Sequence, residues 1–280
     1  MAEDLQLKGY AASTQELYLG AVKGLAKHYH KSPDQITEEE LRAYFLFMKE
    51  KKRYARSTTT TILCGIKFFF EVTLQKHWPV LTLVRPGKEK KLPVVLSRQE
   101  VKAILQAVRA PVYQVCLSTI YSCGLRISEG VRLQADHVDS QRMVLRVRGK
   151  GNKERLVPLA PATLERLRAL WRMHRSQPWL FPARLQPRQT ASSLEGPILK
   201  DNLRIAFATA LRQSGVKKPA HVHSLRHSYA THLLEAKVNL RVIQEILGHR
   251  SPSTTAIYTH LSEKMLTEVK NPIQQLAQEL

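Results

Sequence analysis

The stretch from His221 to Tyr258, HVHSLRHSYATHLLEAKVNLRVIQEILGHRSPSTTAIY, concentrates groups that could do chemistry on a phosphodiester. His223 and Arg226 form an HxxR pair, His249 and Arg250 begin 23 residues after Arg226, and Tyr258 lies nine residues after His249. A phenol has a pKa near ~10 and is mostly protonated at neutral pH. It becomes a useful nucleophile only when neighbours take its proton. A guanidinium is always charged and grips phosphate oxygens with two parallel donors. Imidazole moves protons near neutral pH. Two bases, a fixed cation and a phenol therefore make a site that could attack a backbone phosphate. Taken singly, His223 and His249 also fit satisfied structural histidines, and Tyr258 a half-buried packing tyrosine.

Three more residues join them. Arg126 follows an apolar run in the string CGLRISE, at the edge of a core, where a long cation needs an anionic partner. Glu129 can orient it, and a substrate phosphate can be its other partner. Lys150 stands in GKGNK, a glycine-flanked turn, where a lysine can equally be a solvated charge. His223 and His227 have the four-residue spacing of helical zinc ligands. Arg226 on the same side repels a cation, and neither a following glutamate nor a third ligand is evident, so no metal is expected.

The elements that must position these groups can be read from periodicity and punctuation. Residues 13–29 are predicted helical, with Ser13 or Thr14 as cap. Thr37 to Glu40 is a capping box ahead of the stripe Leu41, Tyr44, Phe45 and Met48. A third helix starts at Ser57 with Ile62, Ile66, Phe69 and Phe70 inward. These elements predict a small N-terminal helical bundle. Pro86 to Pro93, PGKEKKLP, reads as a linker. Beyond it, Ser97 to Glu100 is a second capping box, and Val112 to Cys123 an apolar helix that Gly124 stops. Met143 to Arg148 alternates as a strand, and Glu154 to Pro158 returns, which puts Lys150 at a hairpin tip. Ala162 to His174 and Pro197 to Gln213 are helical, and Gln186 to Gly196 is loop-like.

Ser224 is the expected N-cap of the HxxR helix, which places His223 and Arg226 beside free backbone N–H groups that favour an anion. Leu225, Tyr229 and Leu233 face inward. Asn239 caps the next helix, which closes at Gly248. Ser251-Pro252 opens a short helix carrying Tyr258, and Asn271-Pro272 a tail helix with Ile273, Leu276 and Leu280. The fold class is therefore mainly α with a small antiparallel β-sheet. The domains are 1–85, a linker at 86–93, and 94–280.

Composition narrows the partner. With 44 Lys and Arg against 23 Asp and Glu, the net charge of +21 favours a polyanion, nucleic acid ahead of a membrane surface. Residues 1–84 hold 12 basic against 9 acidic side chains, so residues 85–280 carry most of the excess and are the main candidate for phosphate contact. Cys64, Cys116 and Cys123 form no CxxC pair, and the first and second sit among apolar neighbours. They are expected to be reduced packing residues of a cytoplasmic protein. MAEDLQLK shows no secretory pattern, and no run approaches the ~18 apolar residues of a spanning helix.

The ordered set Arg126, Lys150, His223, Arg226, His249 and Tyr258, within CGLRISE, VRGKGNKERLVPL, HSLRHSYATHLL and LGHRSPSTTAIYTH, resembles the tyrosine recombinase (phage integrase) family. The intervals between these residues are similar to those of Xer-type recombinases, which favours a Xer-like or mobile-element integrase. The resemblance implies a SAM-like core-binding domain ahead of a mixed α/β catalytic domain. It implies that Tyr258 attacks the scissile phosphate and becomes linked to a DNA 3′ end. Arg126 and Arg226 would hold the non-bridging oxygens, Lys150 would protonate the departing 5′ oxygen, and His223 would assist proton transfer from the tyrosine. His249 would hydrogen-bond the phosphate, and Glu129 matches an acidic support position. Neither cofactor, ATP nor metal is implied. The partners implied are double-stranded recombination sites and further copies of the chain, a tetramer on DNA joined through Holliday junctions. The tail helix could dock into a neighbouring subunit or pack on its own domain. A type IB topoisomerase and a non-catalytic DNA-binding factor remain alternatives.

Overall fold

A computed structural model describes residues 1–52, 54, 56–83, 92–149, 154–175, 177–183, 196–248 and 263–280. The chain divides into two compact units, Met1–Lys91 and Leu92–Leu280. The expected linker falls largely on residues outside that description, as do Lys150, His249, Arg250, Tyr258 and most of the 186–196 loop.

The first unit is helical. α1 (Ala2–Leu7) precedes α2 (Ala12–Tyr29), which starts without a side-chain cap, so neither Ser13 nor Thr14 serves that role. α3 (Glu38–Phe47) begins at the capping box, where Thr37 N–H donates to Glu40 Oε2 at 2.8 Å. The helix then loosens into a π turn over Met48–Lys52, and α4 (Arg56–Phe68) into another over Phe69–Thr73. α5 (Val80–Leu83) follows. Leu25, Leu41, Ile66 and Phe70 are fully or almost fully buried, so the apolar stripes meet in one core. Cys64 departs from expectation and is exposed. It lies next to the buried Leu63 but on the outer side of the helix.

The second unit is built around α7 (Pro111–Ser122), whose Cys116, Leu117, Ile120 and Tyr121 are buried. α6 (Arg98–Gln106) leads into it from a capping box at Ser97, and α8 (Ile127–Gly130) follows it. Three antiparallel strands, β1 (Val138–Asp139), β2 (Val144–Arg148) and β3 (Glu154–Pro158), pair in sequence order. Arg148 stands opposite Glu154, so residues 149–153 join the two longer strands. Met143 lies outside β2 in a left-handed turn, and Val144 is buried together with Leu145 and Val147, so strict alternation holds only from Leu145 onward.

α9 (Pro161–His174) and α10 (Lys200–Gln213) flank this core. α10 starts later than Pro197 because Pro197 bridges Pro182 and Ile198 donates to the Phe181 carbonyl, which keeps that backbone extended. α11 (Val222–Glu235), α12 (Leu240–Leu247) and α13 (Glu263–Gln278) complete the unit. α13 begins before the expected Asn271 and runs through Pro272. Its Ile273, Leu276 and Ala277 are buried in the core of their own unit, and Arg98 binds Glu279 at 2.9 Å. Burial of that face offsets the hydrogen bond that a helical proline forfeits. Among the described residues no helix is long and apolar enough to cross a membrane.

Candidate active site

The site starts from how α7 ends. Gly124 takes a left-handed conformation, φ +59°, with its N–H on the Tyr121 carbonyl and the Leu125 N–H on the Ile120 carbonyl. This is the paired closure of a Schellman motif. A Cβ on Gly124 would lie 2.6 Å from the Tyr229 ring and 2.8 Å from Leu247, so only glycine fits. Leu125 is buried and fixes the exit direction. Arg126 is thereby delivered to the N-cap of α8, and Glu129, three residues on, reaches back to accept its N–H at 2.8 Å.

Glu129 is the centre of the arrangement. Its carboxylate is almost wholly buried and faces three guanidinium groups. Arg126 Nη1 donates to Oε1 at 2.8 Å. Arg155, from β3, donates through Nη1 and Nη2 to the two oxygens at 2.9 and 2.8 Å. Arg226, from α11, approaches Oε2 to 3.8 Å. Burial alone would raise this carboxyl. Hydrogen bonds and charge from Arg155, then the N–H and side chain of Arg126, outweigh burial and hold it down to about 2.

The same three arginines also meet the end of α12. The last carbonyls of a helix have no partner within it and carry its negative end. Arg155 Nε binds the Ile246 carbonyl at 2.8 Å, Arg226 Nη2 that of Leu247 at 2.6 Å, and Arg126 Nη2 that of Gly248 at 3.3 Å. Arg226 Nη1 also donates to the Gly124 carbonyl at 2.8 Å. One carboxylate and three successive carbonyls thus hold three cations side by side. The formal charges leave an excess of two positive. Arg226 is 2% exposed, and its proton affinity is pulled down to about 9, first by burial and then by the Arg126 charge. It remains cationic at neutral pH, in a setting that an incoming anion would relieve. Arg126, 35% exposed, is the arginine of the pair open to solvent.

His223 lies in the first turn of α11 and is exposed. Its ring meets that of His227 edge to face at 4.6 Å, with His221 further off at 6.4 Å. Its pKa is pushed down to about 4, first by partial desolvation and then by His227, Arg226, His221 and Arg126. It is a neutral imidazole at pH 7, able to accept a proton. The helix starts two residues before the expected Ser224 cap. His221 is the cap, and its N–H and ring both meet the buried Ser224 Oγ, at 3.2 and 2.7 Å. Among the described residues no group of three or more His, Cys, Asp or Glu side chains could hold a metal ion.

Of the expected site residues, Arg126, Glu129 and Arg226 come together, with His223 in electrostatic reach of both arginines. Lys150 belongs to the β2–β3 connection, whose flanking residues Arg148 and Glu154 pair at 2.7 Å. His249 directly follows the residue that closes α12, and Tyr258 comes nine residues later; the structure describes neither side chain. Arg155 was missed by sequence reasoning. It shares a strand face with the fully buried Val157, and an arginine on an inward face requires an anion.

Known proteins resemble this chain over most of its length. Residues 94–265 match the model of the phage integrase family, and residues 1–80 that of a phage integrase N-terminal SAM-like domain. An integrase/recombinase of Sinorhizobium fredii, y4qK, is 40% identical over 278 residues, covering 99% of this chain and 88% of the relative. Tyrosine recombinase XerC of Natranaerobius thermophilus is 33% identical over 258 residues, 85% and 83% of the two chains. Among solved structures, a lambda integrase tetramer bound to a Holliday junction superposes with a TM-score of 0.71 at 18% identity, over 93% of this chain and 78% of that one; this similarity concerns the fold.

Proposed function

The chain belongs to the phage integrase family of tyrosine recombinases, enzymes that cleave and rejoin DNA, and from that premise we propose how its residues divide the work. Arg126 and Arg226 hold the non-bridging oxygens of a scissile phosphate. The Tyr258 hydroxyl attacks phosphorus, and His223, neutral at pH 7, takes its proton. The bond from phosphorus to the 5′ oxygen breaks, Lys150 supplies the proton that makes this oxygen a hydroxyl, and the DNA 3′ phosphate stays on the tyrosine. His249 hydrogen-bonds the phosphate. A 5′ hydroxyl from a partner strand reverses the steps, so the phosphodiester's energy is conserved in the covalent link and no ATP enters the balance.

The observation that carries this reading is the convergence of Arg126 and Arg226, a hundred residues apart, on Glu129 and on the helix end that leads into His249. Preorganised cations around a phosphate lower the barrier by several kcal/mol because no dipoles need reorganising as charge develops. The basic excess of residues 85–280 fits a duplex partner. Residues 1–85 are assigned to core-site binding and 94–280 to catalysis, joined by 86–93. The working form is a tetramer on paired duplex sites in the cytoplasm; the tail helix, whose Ile273 and Leu276 are buried in their own unit, is not assigned to the contact between subunits.

A nicked duplex that traps the cleaved state tests this. A covalent adduct is expected with the wild type and none with Tyr258→Phe, and Holliday junctions are expected only when two cognate sites are present. An adduct without junction formation would assign a topoisomerase-like activity. Binding without any adduct would leave only a DNA-binding protein.

A further inference from the structure

We propose that Arg155 is a positioning residue for strand cleavage, tying the carboxylate behind Arg126 and Arg226 to the last turn of α12. In that role it keeps the arginine pair in register with the chain that enters His249. The inference rests on the functional reading above and adds to it a residue that touches neither DNA nor the reacting atoms.

All three nitrogens of one planar group are in use. The two terminal nitrogens of Arg155 fork onto both oxygens of Glu129, and its Nε holds the Ile246 carbonyl at 2.8 Å. Its two neighbours bind each side less evenly. Arg126 sits 2.8 Å from Glu129 but 3.3 Å from the Gly248 carbonyl, and Arg226 is 2.6 Å from Leu247 but 3.8 Å from Glu129. Arg155 alone of the three grips both sides closely. A guanidinium has the fixed fork for this, and an ammonium, a single compact head, does not.

Packing supplies an independent observation. Gly248 closes α12 at φ +63°, and a Cβ there would lie 3.1 Å from Arg155 Cδ and 3.4 Å from its Nε. The stem of Arg155 therefore lies directly against the residue preceding His249. At 13% exposure the side chain is poorly placed to meet a duplex, so its influence on cleavage runs through Glu129 and α12.

The test uses the full chain and a nicked duplex carrying the site it selects from fragments flanking its own coding sequence. Arg155→Lys, Arg155→Met and Tyr258→Phe are compared with the wild type for duplex affinity, thermal midpoint and single-turnover rate of adduct formation. Arg155→Met is expected to lower both the midpoint and the rate. Arg155→Lys restores charge opposite Glu129, so it should recover most of the midpoint. Its rate should stay down by about 100-fold, the scale of an ångström-sized misplacement, with affinity within about twofold of wild type. A rate that recovers with the midpoint in Arg155→Lys, or stays near wild type in Arg155→Met, overturns the positioning role and leaves the recombinase reading intact. A wild type that forms no adduct, or an adduct that survives Tyr258→Phe, overturns both. Should Arg155→Met fail to fold, Arg155→Lys alone decides.

Discussion

Replacing Glu129 with glutamine tests the electrostatic frame without disturbing its shape. The substitution removes one negative charge that faces three guanidinium groups, two of them poorly exposed. The Glu129 carboxyl is held down to about 2 against an ordinary value of 4.5. A folded-state pKa below the unfolded one stabilises the fold above the unfolded value. That contribution is lost as pH falls through the folded value. The window therefore runs from about 4.5 down to about 2. At 1.36 kcal/mol per pKa unit the difference corresponds to about 3 kcal/mol at pH 7, in the range for breaking a buried ion pair. By pH 3 the gap between wild type and Glu129→Gln should shrink to about half its neutral value, because below about 4.5 the carboxyl of the unfolded wild-type chain takes up a proton that the folded one does not. Urea unfolding followed by tryptophan fluorescence measures it. In a Trp78→Phe background the remaining Trp171 and Trp179 both report on the second unit. Equal midpoints at pH 7, or a gap that does not narrow toward pH 3, would refute the assignment of Glu129 as the shared counter-ion.

Other outcomes follow from the same geometry. Gly124→Ala should lower stability by about 3 kcal/mol or more, because its methyl meets the Tyr229 ring and Leu247 at a left-handed backbone position; calorimetry reads this directly. Arg226→Lys should slow adduct formation by roughly 100-fold or more, since a lysine cannot serve the Gly124 and Leu247 carbonyls and a phosphate together, and single-turnover kinetics would register it. His223 is neutral above its lowered pKa, so cleavage should be flat from pH 8 to 6 and fall in more acid solution as the ring protonates. His223→Gln should slow the reaction and abolish that acid limb. Duplex binding should weaken steeply with added salt, and a flat dependence would argue against extensive phosphate contact.

Much of the fold is written in local chemistry. The Thr37 and Ser97 boxes, Gly124 as a helix stop, Asn239 as a cap and Gly248 as a closure each follow from residues adjacent in sequence. Leu225, Tyr229 and Leu233 follow from helical spacing, and all three are fully buried. What escaped depends on distant partners. Arg155 acquires its meaning only from Glu129 and Ile246, which lie 26 and 91 residues away, although its place on the Val157 face hinted at burial. β1 has two residues, too few to show alternation. The start of α13 was hidden by Pro272, which local rules treat as a beginning and which the buried Ile273 and Leu276 permit inside a helix. Cys64 belongs to an apolar stretch, yet a single residue step around the helix from the buried Leu63 carries it to the outer side.

The most direct measurement is to locate the covalent bond. Wild-type protein is incubated with the nicked duplex, the adduct is digested, and the nucleotide-bearing peptide is sequenced by mass spectrometry. A phosphate joining a DNA 3′ end to Tyr258 is the expected result, lost in Arg126→Ala and Arg226→Ala. Attachment to another residue or to a 5′ end, or an adduct indifferent to both arginines, would contradict the convergence of these groups on one phosphorus.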